Sequence, residues 1–141
     1  MNASRHLALI VGSTLAFQAC AYENLVGEYT GRLSSVEGYS SNVGDPCAVM
    51  VGTSDRYGGS LTFEIRNVEK LMMETRKVEE ALKRKSDTVK LLTPGGGQGK
   101  PIEIVVIKRG GDGIMQSLKL TRIWKQLHQE KSATCGDLLK K

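Results

Sequence analysis

The sequence predicts a mostly β or α+β domain: an antiparallel sheet that can curl into a small barrel, with one amphipathic helix and one disulfide bond. Three observations lead to this fold class. Several short segments alternate apolar and polar side chains, as strands with one solvated face do. One stretch instead repeats apolar residues every three or four positions, as an amphipathic helix does. Finally, an even pair of cysteines remains once an apparent export leader is set aside.

The first part of the domain contains three strand-like segments. Residues 25–33 are rich in β-formers and alternate in polarity. Residues 36–46 are rich in Gly, Ser, Asn and Asp and predict a loop. Two further strands follow, a compact apolar one at 47–53 and an alternating one at 61–66.

The segment 67–85 changes character. Its apolar residues fall at spacings of three and four, and Glu, Lys, Ala, Leu and Met dominate its composition. This pattern predicts an amphipathic helix at least over residues 76–85. Residues 71–75 leave two options open, because they can begin the helix or continue the sheet.

The C-terminal part contains the clearest hairpin of the chain. Two alternating strands flank a turn of Gly and Asp, which supply the positive φ angles that hairpin loops need. After them the chain can continue as a strand or as a short helical turn, before a tail at residues 138–141. The predicted segments are a strand at 88–92, a Gly-rich loop at 93–101, hairpin strands at 102–109 and 114–122 around the turn 110–113, and the undecided segment 123–129.

The first 21 residues have the order of a secretory signal. Residues 1–6 carry Arg5, residues 7–17 are an apolar run of eleven, and small or weakly polar residues follow. The run is shorter than the roughly 20 apolar residues of a membrane-spanning helix. We therefore expect residues 1–21 to direct export and residues 22–141 to form a single soluble strand-rich domain.

The end of this leader contains a cysteine. The residues Phe17-Gln18-Ala19-Cys20 resemble the lipobox of bacterial lipoproteins, with Phe17 where Leu is usual and Gln18 where a smaller residue is usual. The resemblance implies that Cys20 becomes the lipidated first residue. It also implies sorting to the outer membrane, because Ala21 and not Asp follows the cysteine. The alternative is ordinary cleavage after Ala21, which would discard Cys20 and leave a periplasmic or secreted protein.

The two remaining cysteines predict a disulfide bond. Either cleavage leaves Cys47 and Cys135 as an even pair, and an exported chain meets an oxidising compartment. A bond between them would close a loop of most of the domain. The chain-entropy model assigns such a loop about 4–5 kcal/mol of stabilisation. The competing interpretation is two separately buried thiols.

Charge is distributed unevenly along the domain. Residues 22–64 contain two basic and six acidic residues, a net charge of −4, whereas residues 65–141 contain 17 basic and nine acidic residues, a net charge of +8. A basic half can contact an anionic partner, and it can equally be a solvated surface. We expect no nucleic acid as partner, because aromatic residues for base stacking are few. The residues we assign to possible anion binding are Lys119, Arg122, Lys125 and Lys131, on the expectation that they lie near one solvated face.

Motifs for chemistry are weak in this chain. The segment 93–101 superficially resembles a phosphate-binding loop, but Pro94 and Pro101 stand where that loop needs Gly and Ser or Thr. His128 is the only histidine of the domain, so we predict no metal site and no cofactor. A cysteine nucleophile beside His128 would require that the disulfide be absent. We predict no catalytic residues.

Two function classes remain after these exclusions. The first is a small binding or inhibitor module of the cell envelope, whose curled sheet would hold an apolar ligand in its interior. The second is a structural or assembly partner that docks an anionic envelope component through its basic C-terminal half. A closed apolar cavity would favour the first, and a solid core with a basic face would favour the second. An enzyme is the least favoured class.

Overall fold

A computed structural model describes residues 20–95 and 99–141 of the chain. The predicted export signal falls almost entirely on residues 1–19 and so lies outside the described part. The described chain forms one eight-stranded antiparallel sheet and one α-helix. The strands are β1 (Gly27–Glu37), β2 (Pro46–Ser54), β3 (Ser60–Ile65), β4 (Glu69–Glu74), β5 (Thr88–Thr93), β6 (Ile102–Arg109), β7 (Met115–Trp124) and β8 (Gln129–Lys140), and the helix α1 is Thr75–Leu82.

The sheet curls into a nearly closed barrel. Strands β1 to β4 form one meander and β5 to β8 form a second, and the pairing of β1 with β8 joins the two into the order β4-β3-β2-β1-β8-β7-β6-β5. The two edge strands, β4 and β5, come close to one another, with Thr93 Oγ1 3.2 Å from Met73 Sδ. The predicted fold class is therefore confirmed, with α1 crossing from one edge strand to the other.

The interior of the barrel is filled by its own side chains. Alternate residues of every strand point inward, and the largest buried ones are fully or almost fully shielded from solvent. This finding corrects the expectation that the curled sheet would hold a ligand in its interior. The residues that fill it include Tyr29, Val49, Leu61, Phe63, Ile65, Leu71, Ile107, Met115, Leu118 and Leu120.

The two ends of the barrel differ. At one end, α1 packs Val78 and Leu82 under the sheet, and the 3₁₀ turn Ala21–Asn24 lies against the helix. At the other end the chain turns between β3 and β4, and charged side chains reach inward. We call these the helix end and the open end. Strand β5 leaves the helix end at Thr88 and reaches the open end at Thr93, so its first and last residues belong to opposite ends of the barrel.

The disulfide bond between Cys47 and Cys135 is present, as predicted. It joins β2 to β8, the two neighbours of β1, with the Cα atoms 6.0 Å apart and the two cysteines 88 positions apart in sequence. Cys135 lies in the core, and Cys47 packs against it. The bond therefore fastens the first half of the barrel to the last strand of the second half.

In the middle of the chain two sequence expectations were wrong and one open choice is decided. Strand β1 continues to Glu37, and Pro46 already belongs to β2, so the predicted loop at 36–46 is shorter. The sheet option was the right one for residues 71–74, since β4 runs to Glu74 and the helix begins at Thr75. The helix is also shorter than predicted and ends at Leu82, because no apolar residue follows to cover the core.

The hairpin of β6 and β7 is confirmed, but its alternation of inward and outward side chains is interrupted once. A register irregularity at Lys108 and Arg109 turns Met115 into the core and leaves Ile114 half-exposed. The undecided segment after β7 contains a short 3₁₀ turn at Lys125–Leu127. The twelve-residue strand β8 was not predicted from the sequence, although it is the strand that closes the barrel onto β1.

Candidate functional site

The helix end carries Cys20, the residue predicted to be lipidated. Its thiol is free and exposed. The two residues that follow are held to the helix, because the backbone N–H groups of Ala21 and Tyr22 donate to the Glu79 carboxylate at 2.8 and 3.0 Å. A group attached to Cys20 would consequently lie directly beside α1.

The open end carries a charged cluster around Arg122, which we call the Arg122 cluster: Tyr39, Glu69, Glu103 and Arg122. Arg122 shares the inward side of β7 with Leu118 and Leu120. Its Nε lies 3.1 Å from Glu69 Oε1, and its Nη2 lies 3.3 Å from Glu103 Oε2. Nη2 also donates to the Lys70 carbonyl at 3.2 Å. One guanidinium thus links β7 to β6 and, across the barrel opening, to β4.

The cluster includes a tyrosine from the loop between β1 and β2. The hydroxyl of Tyr39 donates to Glu69 Oε2 at 2.5 Å, and the Lys131 ammonium lies 5.6 Å from the centre of the Tyr39 ring. Nε of Arg122 is shielded from solvent, yet its N–H is not aligned with an acceptor, so its contact with Glu69 is ionic and not a hydrogen bond. The cluster adds polar contacts to the open end, where Val36, Tyr39 and Val68 also pack against the core.

Burial shifts the pKa of two groups in this cluster. It raises the pKa of the Glu103 carboxyl, with Arg122 opposing the shift and Glu69 adding to it. Burial also raises the pKa of the Tyr39 hydroxyl, and its hydrogen bond to Glu69 raises it further. Both carboxylates face the same guanidinium, so the positive charge of Arg122 is compensated within the cluster and Arg122 has little freedom to bind an external anion.

The four predicted anion-binding residues do not share one face. Arg122 points inward and is engaged by two carboxylates, and Lys131 is half-buried against Tyr39. Lys119 and Lys125 are exposed, the former on the outer side of β7 and the latter in the turn after it. The expected common face fails because β7 alternates: Lys119 and Arg122, three residues apart, lie on opposite sides of the sheet.

A pocket of about 580 Å³ lies on the outer flank of the barrel at the open end. Its size is that of small-molecule sites, which span roughly 300–1,000 Å³. Leu92, Ile102 and Ile123 form its floor from the outward sides of β5, β6 and β7, and Trp124 and Leu127 form a wall. Lys100 and Lys125 are also in its lining. We call it the flank pocket.

Sequence reasoning did not find the flank pocket. Its residues come from two segments, 92–102 and 123–127, which the pairing of β6 with β7 brings together, and no motif connects them. In the structure the pocket is marked by two exposed apolar side chains, Leu92 at 48% and Leu127 at 64%. Their exposure is visible only once the sheet has formed. The single Trp of the chain lies beside them.

We searched the described part of the chain for a cysteine nucleophile, a metal site and a membrane-spanning helix. The sulfur atoms of Cys47 and Cys135 are bonded to each other, so neither is available as a nucleophile for His128, which is exposed. Within residues 20–95 and 99–141, no three His, Cys, Asp or Glu side chains gather as they would around a metal ion. The same residues contain no helix with the length and apolarity needed to cross a membrane.

Comparison with known proteins assigns no family. No family model matches the sequence, and neither a curated protein nor a solved structure shows significant similarity to the chain. The function must therefore be argued from the Cys20 end, the Arg122 cluster and the flank pocket.

Proposed function

We propose that the protein is an exported component of the cell envelope, held at the outer membrane by a lipid on Cys20, and that it acts by binding. The leader sequence and its lipobox resemblance support export and lipidation. The disulfide supports an oxidising compartment, where such bonds form and persist. The exposed thiol of Cys20 supports access for lipid attachment.

The observation that carries the binding function is the flank pocket. It is mainly apolar, and Lys100 and Lys125 supply positive charge beside the apolar surface. A ligand that matches both features is a small apolar molecule with an anionic group. Transfer of its apolar part from water would drive binding, and the two ammonium groups would orient its charged end.

A second candidate function is that of a structural or assembly partner that docks an anionic envelope component through the C-terminal half. The filled interior of the barrel favours this candidate over an interior ligand. Of the four residues first assigned to it, Lys119 and Lys125 keep free access to solvent. Docking through them would weaken as salt rises, because the screening length falls to about 8 Å at 0.15 M.

The single Trp makes the flank pocket directly testable. Trp124 lies in its lining, so a bound fluorophore that accepts tryptophan emission would report occupancy. The probe is 1-anilinonaphthalene-8-sulfonate, an apolar anion. We expect saturable energy transfer from Trp124 in the parent protein and at least tenfold weaker binding by the Leu92→Gln/Leu127→Gln variant.

The matched control is Ile114→Gln/Leu139→Gln, which removes two apolar side chains of similar exposure, 52% and 72%, that do not line the pocket. This variant should bind the probe as the parent does. Equal loss in both variants, or no saturable transfer in the parent, would refute the pocket as a ligand site.

A further inference from the structure

The outward side of α1 is strongly basic. The helix buries Val78 and Leu82 and turns its charged side chains to solvent. Arg76, Lys77, Lys83 and Arg84 are exposed there, and Glu79 is turned towards Ala21 and Tyr22. The exposed acidic residues nearby are Glu80 on the helix, Glu74 and Asp87 on either side of it, and Glu23 in the adjoining 3₁₀ turn. Lys85 extends this surface by one residue. We call these five cations the helix-end basic surface.

These cations are available to a partner. The ion pairs of residues 20–95 and 99–141 are formed by Arg122 and Lys141, and none of them uses the helix-end basic surface. The backbone beneath the surface is held in place, because the Arg109 guanidinium donates to the carbonyls of Leu82, Arg84 and Ser86 at 3.3, 3.0 and 2.8 Å. The end of the helix and the following turn are thus fixed against the sheet.

Cys20 is adjacent to the same surface. One peptide bond separates it from Ala21, whose N–H is hydrogen-bonded to the α1 side chain Glu79. A lipid on Cys20 would enter the bilayer at this end, and no linker long enough to lift the barrel away would intervene. The tether would hold the basic surface next to the lipid headgroups at high effective concentration.

We infer that the helix-end basic surface docks on the anionic phosphate headgroups of the membrane that holds Cys20, so that the barrel stands with α1 against the bilayer. The inference rests on the proposed lipid anchor. Lys and Arg side chains clustered beside an anchored segment are attracted to anionic headgroups within a screening length. The flank pocket, at the opposite end of β5, then opens away from the membrane and towards the surrounding compartment.

The test separates this contact from the anchor by using the chain from Cys20 onward with Cys20→Ser, which carries no lipid. Vesicles of phosphatidylethanolamine with 30% phosphatidylglycerol serve as the anionic surface, and phosphatidylethanolamine–phosphatidylcholine vesicles as the neutral one. We expect co-sedimentation with the anionic vesicles only, decreasing as salt rises. The Arg76→Gln/Lys77→Gln/Lys83→Gln/Arg84→Gln variant should bind about tenfold or more weakly.

The control removes the same number of charges elsewhere, outside the flank pocket: Arg32→Gln/Arg66→Gln/Lys70→Gln/Lys90→Gln. All eight side chains are exposed, so both variants should keep the circular dichroism spectrum of the parent. Binding by the control within twofold of the parent supports the inference. If both variants lose binding equally, or if the parent binds neutral vesicles as well, the helix-end contact is wrong.

The vesicle experiment and the tests of the proposed function can fail separately. Lipidation is measured by the mass of the native protein, and pocket occupancy by energy transfer from Trp124 in solution. A protein that carries a lipid and binds the probe, but whose α1 variant keeps its vesicle binding, would overturn only the docking surface.

Discussion

Arg122 connects three strands of the barrel at its open end. Its position on β7, two residues after Leu120, places it on the inward side of the sheet, opposite to the exposed Lys119. A guanidinium there needs carboxylates, and Glu69 and Glu103 provide them from strands β4 and β6. Their pairing with Arg122 depends on how the barrel closes, which no local pattern records.

We predict that Arg122→Gln destabilises the protein by about 2 kcal/mol, measured by urea unfolding. The change removes the link between β4 and β7 and leaves two partly buried carboxylates facing each other. The adjacent control Lys119→Gln, on the exposed side of the same strand, should change stability by less than about 0.5 kcal/mol. A similar effect of the two changes would argue against a stabilising role of the Arg122 cluster.

Tyr39 makes the free energy of unfolding vary with pH in the alkaline range. The folded protein raises the pKa of its hydroxyl above the ordinary value of 10.0. A raised pKa favours the folded state while the hydroxyl is protonated in both states, so this contribution is complete below pH 10. Above pH 10 the unfolded chain ionises first, and the contribution is lost as pH rises towards the folded pKa.

We therefore expect the free energy of unfolding to fall between about pH 9.5 and 11.5, and to fall less in Tyr39→Phe, which has no hydroxyl to ionise. The pKa of Tyr29 is also raised by burial, so both proteins share a residual decrease. Urea unfolding at fixed ionic strength across this range measures the difference. Parallel curves for parent and variant would count against the buried hydrogen bond of Tyr39.

At the scale of elements, regular patterns were predictable and irregular ones were not. Strand β6 has the predicted bounds because its β-branched residues and its flanking Pro101 and Gly110 mark both ends. Strand β8 was not predicted because its sequence lacks alternation and contains Gly136 and Asp137, the latter at φ +51°. Register shifts between β1 and β8 accommodate these residues, and such irregularity is visible only in the paired structure.

The turn between β6 and β7 allows a matched test of two glycines. Gly113 has φ +81°, where a side chain is strained, whereas Gly111 has open space around it and no positive φ. We predict that Gly113→Val destabilises the protein by about 1 kcal/mol or more, and Gly111→Val by clearly less. Thermal unfolding of the two variants under one condition is the measurement, and the reverse order would contradict the turn geometry.

At the scale of the whole molecule, the cysteine pairing was predictable and the location of a binding site was not. The pairing followed from the number of cysteines and the export signal, without knowledge of topology. The flank pocket depends on which apolar residues the closed sheet leaves outside, and the charge split along the chain did not indicate it. Arg122 is engaged by two carboxylates at the open end and other cations lie on α1, so net charge by segment was a poor guide to surface charge.

The two ends of the barrel carry the two proposed roles of the molecule, anchoring and binding. Cys20 and the basic side of α1 lie at the helix end, suited to anchoring, and the flank pocket lies at the open end, suited to binding. The Cys47–Cys135 bond and the β1–β8 pairing make one rigid body of the two meanders. With Cys20 anchored, the pocket would lie at the end of the barrel that is not attached to the membrane.

The measurement that tests the central claim most directly is the intact mass of the protein isolated from its native membrane. The account predicts a chain that begins at Cys20, carries the mass of the attached acyl chains, and lacks two hydrogens because Cys47 and Cys135 are bonded. Replacement of Cys20 by Ala should remove the acyl mass and release the protein from the membrane fraction. A chain that begins at Tyr22 and carries no lipid would contradict the claim.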